Sequence, residues 1–242
     1  QHAFAFALGT LTITHWAFHL FSTFVGQTEP FTHRSAHLYL FLVVAFILRP
    51  LGRRSWRDPL VPATAIDLAL IAATILSFVY IRQDVDALQL RILWTTPWDT
   101  AVAITALVLV IEATRRLIGW ILAIIPVLFM LHTVFAAEMP GVLSGPSTPW
   151  RQMVDTLFLT TDGIFGLPIQ VSSSFVVIFV FFGALLFRSG AGDFFINVAL
   201  ALTGRRIGGP AKASVVSSAM FGTLSGSAAA NVVITGSFTI PL

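Results

Sequence analysis

GRRIGGPAKASVVSSAMFGTLSGSAAANVVITGSFTIPL, residues 204–242, sets the terms for the whole chain. It opens on a basic, glycine-rich collar: Arg205, Arg206, Gly208, Gly209, Pro210 and Lys212. It then turns apolar through small residues rather than leucines, with no charge between Ser214 and Ser237. Lipid tails are as apolar as leucine, so small residues in a membrane mark places where backbones approach closely. Gly226, set between Ser225 and Ser227, favours broken helix geometry. Such geometry survives at membrane depth only inside protein or beside a water-filled cavity. There, carbonyls and hydroxyls can hold a small cation, and a half-helix N-terminus an anion. Two readings stay open: a re-entrant hairpin whose tip binds an ion, or a tightly packed helix pair using the Gly222/Gly226 spacing.

Working outward, the chain is 56% hydrophobic and 10% charged, with a mean hydropathy of +0.87. Soluble domains carry about 25% charge, so the expected class is an all-α polytopic membrane protein. The net charge of +3 sits in short loops and gives no sign of nucleic-acid binding. The absence of cysteine excludes disulfides, thiol catalysis and thiolate metal sites. The first residue, Gln1, and the last, Leu242, read as cut ends of a longer protein. The first apolar stretch lacks a basic n-region and a cleavage site, so it reads as a span.

Each crossing needs roughly 20 residues. Hydropathy predicts about six transmembrane helices: 4–25, a short one at 36–48, 63–81, 98–113 behind Pro97, 118–136 kinked at Pro126, and 169–187. A looser, proline-bearing segment covers 137–165. Residues 194–203 are apolar but too short to cross, so they read as an interfacial helix before the hairpin begins. Ten of the fourteen basic residues fall in alternate loops: Arg49, Arg53, Arg54, Arg57, Arg115, Arg116, Arg188, Arg205, Arg206 and Lys212. By the positive-inside rule these loops, and the hairpin collar, are cytoplasmic. Glu29, Asp84, Asp86, Asp99, Glu138, Asp155 and Asp162 fall on the other side and would suit a docked partner with basic patches.

Four further segments then acquire weight together: Thr161-Asp-Gly-Ile-Phe-Gly-Leu-Pro168, Phe182 to Phe195, Thr203 to Lys212, and Phe221 to Asn231. In this order they resemble the fused membrane subunit of a tripartite ATP-independent periplasmic (TRAP) transporter, specifically its TAXI branch. His37-Leu-Tyr-Leu and Glu112-Ala-Thr-Arg-Arg116 are similar to the small-subunit part of that fusion. The resemblance implies a sodium-coupled secondary importer of organic acids (dicarboxylate-like anions) in the bacterial inner membrane. It implies a periplasmic TAXI-type solute-binding protein as partner, elevator-type alternating access, and no cofactor besides the coupling ion. It further implies small-subunit-like scaffold helices over 1–116, a connecting helix and periplasmic segment over 117–160, and the first part of the transport region over 161–242. The implied sodium and substrate ligands are Ser225, Gly226, Ser227 and Asn231, with Thr235, Gly236 and Ser237 nearby. A second hairpin and later helices of the family would complete that site beyond Leu242.

The sequence also admits competing chemistries. His15/His19 and His33/His37 are i, i+4 pairs, which raises a haem-binding electron-transfer protein using His15, His19 and His37. One such pair points one way from one helix, so packing histidines are the simpler expectation. Leu224-Ser225-Gly226 is similar to the nucleophile surroundings of intramembrane serine proteases, but the last histidine is His132 and no general base lies close by. No enzyme is therefore expected. Asp67 and Asp99 near span starts read as structural. Glu112 with Arg115 and Arg116 reads as an interfacial ion pair. Asp193 is the expected cap of the short helix before Phe194, and Ser172-Ser-Ser174 is expected to pack.

Overall fold

The computed structural model describes residues 2–26, 29–52, 63–92, 94–205, 207–225 and 231. Among them there is no strand, and the chain falls into two compact units, Gln1–Gln170 and Val171–Leu242. The first unit holds α1 (His2–Phe24), α2 (Pro30–Leu48), α3 (Ala63–Gln83), α4 (Val85–Leu90), α5 (Pro97–Leu117), α6 (Trp120–Phe135) and α7 (Trp150–Leu159), and α8 (Leu167–Val171) begins at its end. The second holds a π turn at Ser172–Val176, then α9 (Val177–Arg188), α10 (Ala191–Thr203) and α11 (Gly209–Ser225). Four helical stretches are long and apolar enough to cross a membrane: Pro30–Leu48, Ala63–Gln83, Trp120–Glu138 and Leu167–Leu185. α1 and α5, with 23 and 21 residues, match them in length.

The first unit is organised by its helix ends. α2, α3 and α5 run up, down and up, with Tyr39, Phe46, Ile81, Ala103, Ala106 and Leu109 buried among them. Alanines on α5 allow that close approach. At one end Arg116 of α5 reaches Asp67 in α3 and the carbonyl oxygen of Arg49 after α2. Glu112 takes two bonds from Arg115, each 2.7 Å, and one from Arg116. Asp67 also accepts from the Leu51 amide. Arg116 and Asp67 are almost fully buried, with side chains 4% and 0% exposed. The ion pair expected within α5 is therefore one edge of a knot joining three helices.

At the opposite end, Thr96 and Asp99 cap α5 reciprocally behind Pro97, and Asp99 takes further bonds from Tyr80 and Arg91. Thr95 donates to Asp155 of α7. The outer surface is apolar, as lipid contact requires: Ile121 and Phe129 of α6 are 78% and 68% exposed.

Four expectations change. α2 begins at Pro30, not near Ala36, because the Glu29 carboxylate accepts from the Phe31 and Thr32 amides and proline suits the first helical turn. His33, which falls outside the expected 36–48 span, is thus helical. The segment 137–165 is not uniformly loose: it contains α7, whose Val154, Phe158 and Leu159 are buried. Asp193 does not cap α10; it sits in the first turn, and Gly190 occupies the cap position.

The Glu29 cap carries a pH signature. Partial burial pushes its carboxyl up, but the Phe31 and Thr32 amides, with Gln89 and Thr32 side chains, outweigh that and hold it below the ordinary range. A depressed carboxyl stabilises the fold above its unfolded pKa, and that contribution is lost as pH falls through the folded value. Glu29→Gln is therefore expected to cost about 0.5–1 kcal/mol near neutral pH. The difference from wild type should shrink to nothing under acid conditions, read by thermal unfolding in detergent across pH. A gap that persists undiminished in acid would remove the carboxylate from the cap.

Candidate ion-binding hairpin

The second unit is built from α9, α10 and α11, with α10 and α11 folded against each other through Phe195 and Phe221, whose rings meet at 5.5 Å. Ala199 and Ala213 are buried. The connection is tight. Gly208 has φ +70, a left-handed turn that side-chain-bearing residues resist. A Cβ on Gly209 would lie 2.6 Å from the Gly204 carbonyl oxygen. Pro210 then occupies the first turn of α11, where its missing N–H costs nothing. The collar of Arg205 and Lys212 stays exposed at this turn.

Along α11 the hydroxyls turn back on their own helix. Ser214 donates to Ala211 O at 2.8 Å, Ser217 to Ser214 O at 3.1 Å, and Thr223 to Met220 O at 2.6 Å. Ser217 is buried. A hydroxyl that spends its proton this way is satisfied without a partner helix, yet keeps lone pairs for a further interaction. A continuous helix would set Asn231 about 20 Å from Ser218. Instead the Asn231 amide donates to Ser218 O at 3.1 Å and to Ser218 Oγ at 3.2 Å. Asn231 Nδ2 also lies 3.5 Å from where a Gly222 Cβ would be. Gly222 is thus the gap the Asn231 amide occupies.

Of the expected ligands, Asn231 is the one the structure places. Ser225 ends α11, and its side chain is outside the described residues. Gly226, Ser227, Thr235, Gly236 and Ser237 also lie outside them. Ser173 is buried in the π turn, so that serine packs as expected. An apolar cavity of about 770 Å³ lies between α5, α6 and α7, lined by Leu107, Ile111, Phe129, Met130, Met153 and Leu157 among others. It offers no charge to an anion.

The structure brings together the three histidines that the sequence raised as a ligand set, His15, His19 and His37. α1 carries His15 and His19, and α2 brings His37 against them. The signal was present as two i, i+4 pairs on neighbouring helices, but their convergence needed the helix register. His37 Nδ1 and His19 Nε2 are 2.9 Å apart. Two axial nitrogens on opposite faces of a porphyrin would be roughly 4 Å apart if each bond resembled a zinc–imidazole bond. The pair is too close to bracket a haem.

Residues 105–242 match the sequence model of the family described as "Tripartite ATP-independent periplasmic transporter, DctM component". No curated protein and no solved structure matches the chain.

Proposed function

Because the chain belongs to the DctM-component family of tripartite ATP-independent periplasmic transporters, we propose that it moves an organic acid, dicarboxylate-like in charge, inward together with sodium. As a permease component of such a transporter it is a multi-pass membrane protein whose family works with a periplasmic solute-binding protein. The finer reading is a TAXI-type fused subunit in the bacterial inner membrane, with the Gly204–Lys212 collar on the cytoplasmic side. The observation that carries the ion site is the return of Asn231 onto Ser218 of α11. It supports a chain reversal within a segment that carries no charged side chain, where carbonyls and hydroxyls would be the available ligands.

Physically, a transported carboxylate is expensive in hydrocarbon. Sodium held by neutral oxygens cancels its field, so the loaded domain crosses a barrier that the bare anion could not. Elevator-type access is then a rigid-body movement of the transport region against scaffold helices. The basic residues of the first unit support the orientation: Arg49, Arg115 and Arg116 share one end of the α2–α3–α5 bundle.

The test is uptake by the intact transporter in proteoliposomes, with its binding protein supplied and sodium or potassium gradients imposed. Hydrogen bonds to charged groups are worth about 1.5–3 kcal/mol. Ser227→Ala and Asn231→Ala are therefore each expected to raise the sodium concentration for half-maximal uptake roughly tenfold or more, with membrane expression unchanged. Wild-type sodium dependence in both variants would reject the assignment of these residues. Uptake indifferent to sodium in the wild type would reject the coupling ion.

A further inference from the structure

We propose that His15, His19 and His37 form a binding site for a borderline first-row transition-metal cation, clamping α1 to α2. The site lies outside the residues that match the transporter family, and its geometry is independent of the transport reading. The candidate ligand nitrogens, one from each ring, all lie within 4.8 Å of one another, and all three residues are buried. His15 and His19 are one helical turn apart on α1, so their rings share a face. His37 closes the triangle from α2.

Three observations separate this cluster from ordinary packing. First, neither ring nitrogen of His15 has a hydrogen-bond partner among the described residues, although both are sealed from solvent. Buried polar atoms are normally paired, and leaving one unmade costs about 1–3 kcal/mol. A metal ion would supply a partner for one of these two nitrogens. Second, the donor set is chemically uniform. Three neutral imidazoles without thiolate or carboxylate suit zinc, copper, nickel and cobalt, whereas calcium and magnesium want oxygen. Three histidines with an open fourth position is also the arrangement found in some zinc sites, where an anion or water completes the tetrahedron. An anion there lowers the charge placed in an apolar setting.

Third, the rings have a surrounding shell. Phe41 packs at 4.6 Å from the His15 ring and 4.7 Å from that of His37, and excludes water on that side. His33, one turn before His37, lies 5.3 Å from the His19 ring and stacks on Phe18 at 5.4 Å. Its Nε2 is also buried without a partner among the described residues. His33 is thus positioned as a further donor at the rim.

The experiment uses the full protein without an affinity tag, purified in detergent, stripped with a chelator and dialysed. Zinc is titrated by calorimetry, and cobalt by its visible absorption, whose intensity reports four-coordinate nitrogen ligation. One saturable equivalent per chain is expected. His15→Gln, His19→Gln and His37→Gln should each weaken binding at least tenfold. His132→Gln should leave it unchanged, because that partly exposed side chain bonds the Leu143 carbonyl oxygen elsewhere. The wild-type titration needs no variant to fold. Absence of stoichiometric zinc and cobalt binding, or wild-type affinity in the triple glutamine variant, overturns the site.

Discussion

Replacing Arg116 with methionine is expected to cost about 3–5 kcal/mol, the range for breaking a buried ion pair by removing one partner. Its partner Asp67 has a fully buried side chain, left among the described residues with the Leu51 amide to accept from. The same change removes a bond to Glu112, a bond to the Arg49 carbonyl oxygen, and a guanidinium lying 5.2 Å over the Phe46 ring. Lysine would not rescue it fully, because a single ammonium cannot span three acceptors at fixed angles. The check is denaturant unfolding in mixed micelles. A double change, Asp67→Asn with Arg116→Met, should recover part of the loss, since no uncompensated charge remains. By contrast, a change at Arg115, whose side chain is 22% exposed and pairs with Glu112 within its own helix, should cost about 1 kcal/mol. An Arg116→Met loss as small as that of Arg115 would mean the knot is peripheral.

The second large effect is expected at Gly163. A Cβ there would overlap the Leu157 carbonyl group and Cα, which belong to backbone and cannot rotate away. The Ile164 amide bonds that same carbonyl at 2.7 Å, so the turn cannot open without losing it. The turn also presents Phe165, fully buried against Phe31 at 4.7 Å, with its carbonyl held by Arg34 at 2.8 Å. Gly163→Ala should therefore destabilise by about 3 kcal/mol, the upper range for overpacking. Gly145→Ala, whose Cβ would meet only the Ala136 methyl at 3.9 Å, should stay within about 0.5 kcal/mol. Thermal unfolding of the two variants side by side decides it, and equal effects would mean the Leu157 turn yields freely.

What the sequence made legible follows from how local each signal is. The long apolar runs and the Pro97 start needed only neighbours within a few residues, and the helices are there. The start of α2 was hidden because Thr32, His33 and Arg34 look like loop residues; they become helical through the Glu29 cap and the reach of Arg34 to Phe165. α7 was hidden because Arg151, Gln152, Asp155 and Thr156 dilute a pattern whose buried side shows only in the fold. The pairing of Arg116 with Asp67, 49 positions apart, carried no local mark, whereas His19 and His37, 18 apart, were flagged by their i, i+4 spacings but not by their contact. In the hairpin stretch, Gly226 and Ser227, where glycine and serine content predicts a break, lie outside the described residues. The identity of the contact that closes it, Asn231 on Ser218, depended on where the chain returns.

The Arg116 knot has a consequence for the surrounding lipid. It gathers the end of α2, the start of α3 and the end of α5 at one level, and these helices have 19, 21 and 21 residues. At 1.5 Å per residue each is about 30 Å long, close to the hydrocarbon thickness of a bilayer. Rods of equal length pinned together at one end cannot slide individually to relieve a mismatch. A thinner or thicker membrane must tilt all three as a raft, so the cost of mismatch falls on the bundle as one body.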